Sequence, residues 1–210
     1  MFRRLLRWLY AALYNVANRP AERAGLREQR HALLAQASGA TIEIGAGTGL
    51  NLPHYPPAIS RLVLIEPDPH MARRLRRRRS KLGIDAQILE ATAEQLPFPD
   101  ASFDTAVVTF ALCSVPDENV ALAEIARVLE PGGLLLFLEH VRSTDPKVAA
   151  RQDEMPFPYP LVGCHPNRAT LAAIDASPLV VESVRHGEVA KAPAIERPMI
   201  VGTSRRPTAG

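Results

Sequence analysis

Apolar and polar positions along this chain follow two periods, and the alternation between them predicts its architecture. Mainly apolar runs bounded by turn residues fall at Ala40 to Ile44, Arg61 to Ile65, Ala86 to Leu89, Phe103 to Phe110 and Leu134 to Glu139, and read as buried strands. Helical spacing lies between them. One helix is predicted from Pro20 to Ala37, with Asn18 or Arg19 before it and Ser38-Gly39 ending it. Asp68 can cap another that starts at Pro69 and closes at Gly83. A third begins at Asp117, shows apolar Val120, Ile125, Val128 and Leu129, and is followed by a Pro131-Gly132-Gly133 turn. The prolines of NLPHYPP leave room for only a short or irregular helix after the first strand. Strands alternating with helices through residue 139 imply a parallel sheet covered on both faces.

Beyond residue 139 the pattern changes. Pro156, Pro158 and Pro160 make 153–163 a loop, a helix is expected from Arg168 to Ala176, strands near Val180 to Val184 and Met199 to Thr203, and SRRPTAG is a frayed tail. The organisation read from this is N-terminal helices over 1–37 capping the site or the core, an α/β domain over 38–204 and a flexible tail over 205–210.

At the start, Phe2, Leu5, Leu6, Leu9, Leu13 and Val16 form one helical stripe with Arg3, Arg4 and Arg7 away from it. The stripe is read as a cap on the domain core, with peripheral membrane contact through residues 1–17 as the alternative. Arg7 interrupts the apolar stretch and no cleavage pattern follows, which argues against a spanning or secretory segment.

Composition narrows the function classes. The chain has 210 residues, 47% of them hydrophobic, enough for one sizeable core. A net charge of +3 argues against nucleic acid as the partner unless the cations cluster. They do cluster in MARRLRRRRSK, where Met71 and Leu75 face inward and the arginines are read as a solvated surface near a helix C-terminus; RNA or DNA binding there is the competing view. Two distant cysteines, Cys113 and Cys164, lack metal or dithiol spacing and are read as small packing residues, with no metal site and a cytoplasmic location expected.

The chemistry concentrates at TIEIGAGTGL. Gly45, Gly47 and Gly49 after a buried strand let backbone approach a ligand closely, and Leu50 stands where a dinucleotide fingerprint has its third glycine, so NAD and FAD are disfavoured. Glu66 ends the second strand, 17 residues beyond Gly49, where a carboxylate can accept from both hydroxyls of a ribose. Strand ends converge over one crevice in such a sheet.

Together, TIEIGAGTGL, LIEPD, ATAEQLPFPDASFDTAV and VLEPGGLLLFLE resemble class I S-adenosylmethionine-dependent methyltransferases over residues 40–140. The resemblance implies a Rossmann-like α/β fold with a seven-stranded, mostly parallel sheet in the order 3-2-1-4-5-7-6. It also implies S-adenosyl-L-methionine as cofactor, S-adenosyl-L-homocysteine as product, and a cofactor site drawn from Glu43, Gly45, Ala46, Gly47, Gly49, Glu66, Pro67, Thr92, Ala93 and Thr109. Thr92 stands where related proteins often have Asp. LPFPDASFD is similar to UbiE-type quinone methyltransferases. ALCSVPD, FLEHV, GCHPNRATLAAI and AIERPMIVG look like methyltransferase-like proteins that methylate alkyl thiols, over residues 40–203.

The acceptor is therefore expected to be a small, fairly apolar molecule, a thiol ahead of a hydroxyl, amine or quinone carbon, with no obligate protein partner. Phe110, Leu112, Val115 and residues 156–161 are expected to shape its pocket. A thiol is mostly protonated at neutral pH, so a base helps; His140, directly after the fifth strand, leads the candidates, followed by His165 and then His54. Tyr55 is expected to close over the cofactor.

Overall fold

Seven strands, β1 (Gly39–Ile44), β2 (Ile59–Ile65), β3 (Gln87–Leu89), β4 (Phe103–Thr109), β5 (Leu129–His140), β6 (Val180–Glu188) and β7 (Pro198–Arg205), hydrogen-bond in the order β3-β2-β1-β4-β5-β7-β6. β7 runs antiparallel to both β5 and β6, and the other pairings are parallel, as the resemblance implies. The computed structural model describes residues 2–154 and 163–208.

Alternation within the strands splits the core into two faces. Ile42, Ile44, Val63, Ile65, Val108 and Phe137 point to one side, where α4 (Glu118–Val128) covers them with Leu122 and Ile125, and α6 (Thr170–Asp175) adds Ile174. On the other side Val107, Leu136 and Leu138 meet Leu33 and Leu34 of α2 (Arg27–Leu34), while Leu62 and Leu64 meet Leu75 of α3 (Pro69–Leu82). Both predicted caps form. Asp68 accepts from the His70 and Met71 amides, Asp117 from those of Asn119 and Val120, and Gly83 closes α3 in the left-handed region. The proline-limited segment after β1 is a single 3₁₀ turn, Leu52–His54.

Several expectations change. α1 (Phe2–Ala21) runs straight through Pro20, and the break comes at Ala24-Gly25, where Gly25 has φ 117°. Helix two is therefore α2 alone. The apolar stripe of α1 does not cap the core: Leu5, Leu13 and Val16 are 59%, 52% and 65% exposed, and Leu9 is exposed as well. What α1 turns toward the protein is a mixed face, with Arg7, Tyr10 and Tyr14 lining a cavity at the carboxyl edge of the sheet. Ala11 is buried and Asn15 meets Thr48.

Val120 is exposed on the outer side of α4, and β5 begins at Leu129, taking in the Pro-Gly-Gly segment with a register shift opposite Phe103 to Thr105. The expected tail is pinned through Arg206. Ser204 is fully buried in β7, the Arg206 amide donates to Gly133 O, and Arg206 O accepts from Gly132 N. Lastly, α5 (Pro146–Asp153), capped by Asp145, precedes the proline-rich stretch, and the expected pocket residues 156–161 lie outside the described residues.

Candidate active site

The glycine loop leaves β1 at the carboxyl edge of the sheet, and its glycines do different work. Gly45 has φ +70°, and a Cβ there would lie 2.6 Å from the Ala111 Cβ, so packing forbids a side chain. Gly47 has φ +56° with open space where its Cβ would be: that space belongs to the cavity. Gly49, expected beside the cofactor, is buried on the inner side of the loop against Leu52 and Leu75 and shapes the loop from below.

Glu66 sits across from this loop. Its Oε2 accepts from the Gly47 amide at 2.7 Å and its Oε1 from the Asp68 amide at 2.8 Å, which fixes the carboxylate and leaves a lone pair on each oxygen. Burial raises its pKa to about 7 against the pull of those two amides.

A cavity of ≈570 Å³ extends from these groups, within the range of small-molecule sites. Gly45, Gly47, Glu66, Pro67, Thr92 and Ala93 line one end, and Thr109 borders it too. The other end is bounded by Phe110, Ser114, Val115, Pro116 and Gly163, with Tyr10 and Tyr14 of α1 among the lining residues. Burial raises both tyrosine pKa values, Tyr14 to about 12, so the phenols are neutral. Arg7 of α1 also lines the cavity and pairs with Asp68 at 2.8 Å. Val115 and Phe110 thus line this cavity, whereas Leu112 is fully buried in the core.

Beneath the loop runs a buried polar network that sequence reasoning missed. Arg30 of α2 donates to Glu22 Oε1, Asn51 Oδ1 and Thr109 Oγ1 at 2.9 to 3.0 Å, and Asn51 donates to Glu43 Oε1 and to Thr109. Tyr55, expected over the cofactor, instead donates to Glu43 Oε2 at 2.7 Å from below. Both oxygens of Glu43 are thus occupied by the protein, and burial holds its pKa up at about 7 in spite of these donors. Glu43 and Ala46 border a small cleft of ≈20 Å³ that adjoins the loop, together with Arg30 and Tyr14. Nothing in REQRH distinguishes Arg30 from a surface arginine in the sequence.

No histidine lines the cavity among the described residues. His54 packs edge-on to His31, away from it, with its pKa lowered first by burial and then by His31. The His165 amide donates to Cys113 O, and burial and Arg168 lower its imidazole pKa. His140 sits one side chain behind the wall, its ring 4.4 Å from that of Phe110. Its Nδ1 lies 3.8 Å from Cys113 Sγ and 3.7 Å from Cys164 Sγ, a meeting that sequence spacing did not foreshadow. Burial works to lower the His140 pKa, but Cys113 and Glu139 outweigh it and hold it above the ordinary value. The Cys113 thiol is pushed well up by Cys164 and by burial.

A protein-family model described as a methyltransferase domain matches residues 42–137, the span that builds the loop, the Glu66 carboxylate and the strands beneath them. Residues 42–137 thus carry the pattern of a methyltransferase domain. The chain is 32% identical to human thiol S-methyltransferase TMT1B over 145 residues, covering 64% of this chain and 57% of that protein. It is 45% identical over 82 residues to the ubiquinone/menaquinone biosynthesis C-methyltransferase UbiE of Hahella chejuensis, covering 39% of this chain and 33% of that one. The chain therefore spans about half or less of the length of these curated relatives. Among solved structures, the [4+2]-cyclase SpnF superposes with a TM-score of 0.71 at 18% identity, covering 88% of this chain and 80% of that one. That likeness is one of fold, since a [4+2]-cyclase does not transfer methyl groups.

The residues present suit the cofactor of this family. Glu66 offers two acceptor oxygens already oriented by backbone amides, Gly47 leaves its Cβ space to the cavity, and buried Ala93 gives a flat apolar contact at the same end.

Proposed function

We propose that this methyltransferase domain moves the methyl group of S-adenosylmethionine to a small, fairly apolar acceptor, a thiol by preference. The reading is carried by the continuity of one cavity, with Gly47, Glu66 and Ala93 at one end and Phe110, Val115 and Pro116 at the other. The cofactor supplies a sulfonium-bound methyl, which an acceptor takes by in-line displacement. The protein's work is then alignment and exclusion of water. Glu66 accepts from the ribose hydroxyls, the Gly45 and Gly47 backbone lies along the methionine part, and Thr92 and Ala93 meet the base. Pro67 and Thr109 close the edges of the same end, with Arg30 and Glu43 holding the loop from beneath. Tyr10, Tyr14 and Phe110 enclose the acceptor.

Likeness to a thiol S-methyltransferase over 64% of the chain supports the thiol preference. Of the histidines first considered for the acceptor's proton, His140 is the one packed on a wall residue, whereas His165 supports the neighbouring loop through its amide. The test is a turnover screen with labelled cofactor across alkyl thiols, phenols, amines and quinones. Transfer to thiols at the highest kcat/KM is the expected result; transfer to quinones with none to thiols would replace the reading.

A second reading, in which the acceptor resides at a lipid surface, draws on α1. Leu5, Trp8, Leu9, Leu13 and Val16 expose an apolar face on a helix whose charged residues are all arginines. Anionic lipid complements such a helix. No helix among the described residues is long and apolar enough to cross a membrane, so contact would be at the interface. Sedimentation with anionic vesicles should capture the full chain and release the Leu9→Ser/Leu13→Ser variant; equal capture of both would remove α1 from the account.

A further inference from the structure

Two thiols and an imidazole meet immediately behind the acceptor wall. Cys113 follows β4, His140 ends β5 and Cys164 precedes α6, and their neighbours Ser114, Phe110 and Gly163 line the cavity. The two sulfurs are 3.9 Å apart, and His140 Nδ1 is 3.8 Å from one and 3.7 Å from the other. Tetrahedral zinc, with Zn–S about 2.3 Å and Zn–N about 2.0–2.1 Å, spaces its ligand atoms about 3.8 Å sulfur to sulfur and about 3.6 Å sulfur to nitrogen. All three observed edges match that triangle to about 0.2 Å, the tolerance expected of a formed site.

We propose that Cys113, His140 and Cys164 form a binding site for a zinc-class cation, with two thiolates, one neutral imidazole and one open position. Two thiol protons leave to solvent as the metal enters, so the charges balance. The donor set is selective by softness: two sulfurs and an imidazole suit Zn²⁺ over Mg²⁺ or Ca²⁺.

The loops that carry the ligands are held without the metal. Glu139, fully buried, accepts from the amides of Ala111, Leu112 and Cys113. Arg168 donates to Leu112 O and Val115 O, and the His165 amide joins the second cysteine's loop to Cys113 O. The site is therefore preorganised, and a bound cation would clamp the Gly163 loop onto the Phe110 wall. The assignment stands on this geometry and needs no assumption about the acceptor.

Reduced full-length protein, without cofactor or acceptor, is titrated with Zn²⁺ against a chromophoric chelator, and its thiols are counted with a maleimide. The chain has only two cysteines, so the count is unambiguous. One zinc per chain, protection of both thiols, and binding at least about 100-fold weaker in C113S and C164S are expected. Binding no tighter than in the C113S/C164S double variant, or thiols equally reactive with and without zinc, would overturn the proposal. S-adenosylhomocysteine binding verifies that each variant folds. Should a variant fail that check, Co²⁺ in the wild-type chain decides: sulfur-to-metal charge-transfer bands with a four-coordinate visible spectrum support the site, and a spectrum without sulfur bands overturns it. None of these readouts depends on methyl transfer, so their failure is separable from failure of the thiol reading.

Discussion

At the cofactor end of the cavity, Gly45, Gly47 and Glu66 come from one short loop and the next strand end and are tied together through backbone amides, with Thr92 and Ala93 joining them from the segment after β3. At the acceptor end the lining groups come from α1, the loop after β4 and the loop before α6. The first end is assembled by segments close in sequence on rigid strands. The second is assembled by topology, from parts separated by 50 residues and more. Changes at the first should act on cofactor affinity and stability, and changes at the second on the acceptor alone.

The largest expected effect lies under the glycine loop. Arg30→Ala strands Glu22 and removes donors from Asn51 and Thr109 in a buried network, and should cost about 3–5 kcal/mol of stability in denaturant unfolding. A loss below 1 kcal/mol would mean that the loop does not rest on this network. Next, Glu66→Ala removes both ribose acceptors, and calorimetry with S-adenosylhomocysteine should show affinity weaker on the order of 100-fold. At the other end, Tyr10→Ala should raise acceptor KM about tenfold, or about 1.4 kcal/mol, with cofactor affinity unchanged. A parallel loss of cofactor affinity would merge the two ends into one.

A pH series sharpens the same division. Glu43 and Glu66 have folded pKa values of about 7, above the ordinary 4.5, so the stability they contribute to the cofactor-free protein is full below about 4.5 and is lost as pH rises through about 7. Ribose donors favour the ionised Glu66, so cofactor affinity should rise over the window in which that stability falls. Calorimetry in two buffers near pH 7 should detect proton release on binding, and Glu66→Gln should abolish it. The smallest effect belongs to the outer face of α1, where Leu13→Ser should shift stability by no more than about 0.5 kcal/mol.

The elements around the glycine loop are legible in the sequence because their information is local. Glycine spacing, the acid at the next strand end, and the Asp68 and Asp117 caps are each written within a few residues. The acceptor end is not written that way. Cys113, His140 and Cys164 are separated by 27 and 24 residues, and only the crossover from β4 to β5 and the return loop bring their donors together. Periodicity revealed that α1 is amphipathic but not which face it buries: Arg7, Tyr10 and Tyr14 face the cavity while Leu5, Leu9, Leu13 and Val16 are exposed. Arg30 looked like any exposed arginine until α2 placed it against Thr109. The pinning of Arg206 runs through its main chain and a guanidinium bound to carbonyls, contacts that tail composition does not encode.

β7 lies between β5 and β6 although both are made before it. On the ribosome, the apolar β5 strand therefore waits with an open hydrogen-bonding edge until residues 198–205 have emerged. Nascent chains of this protein pass through a long interval in which that edge can recruit another strand, and premature termination anywhere before β7 leaves it permanently uncovered. Slow release or a chaperone that shields β5 should then govern yield more strongly than the stability of the finished sheet.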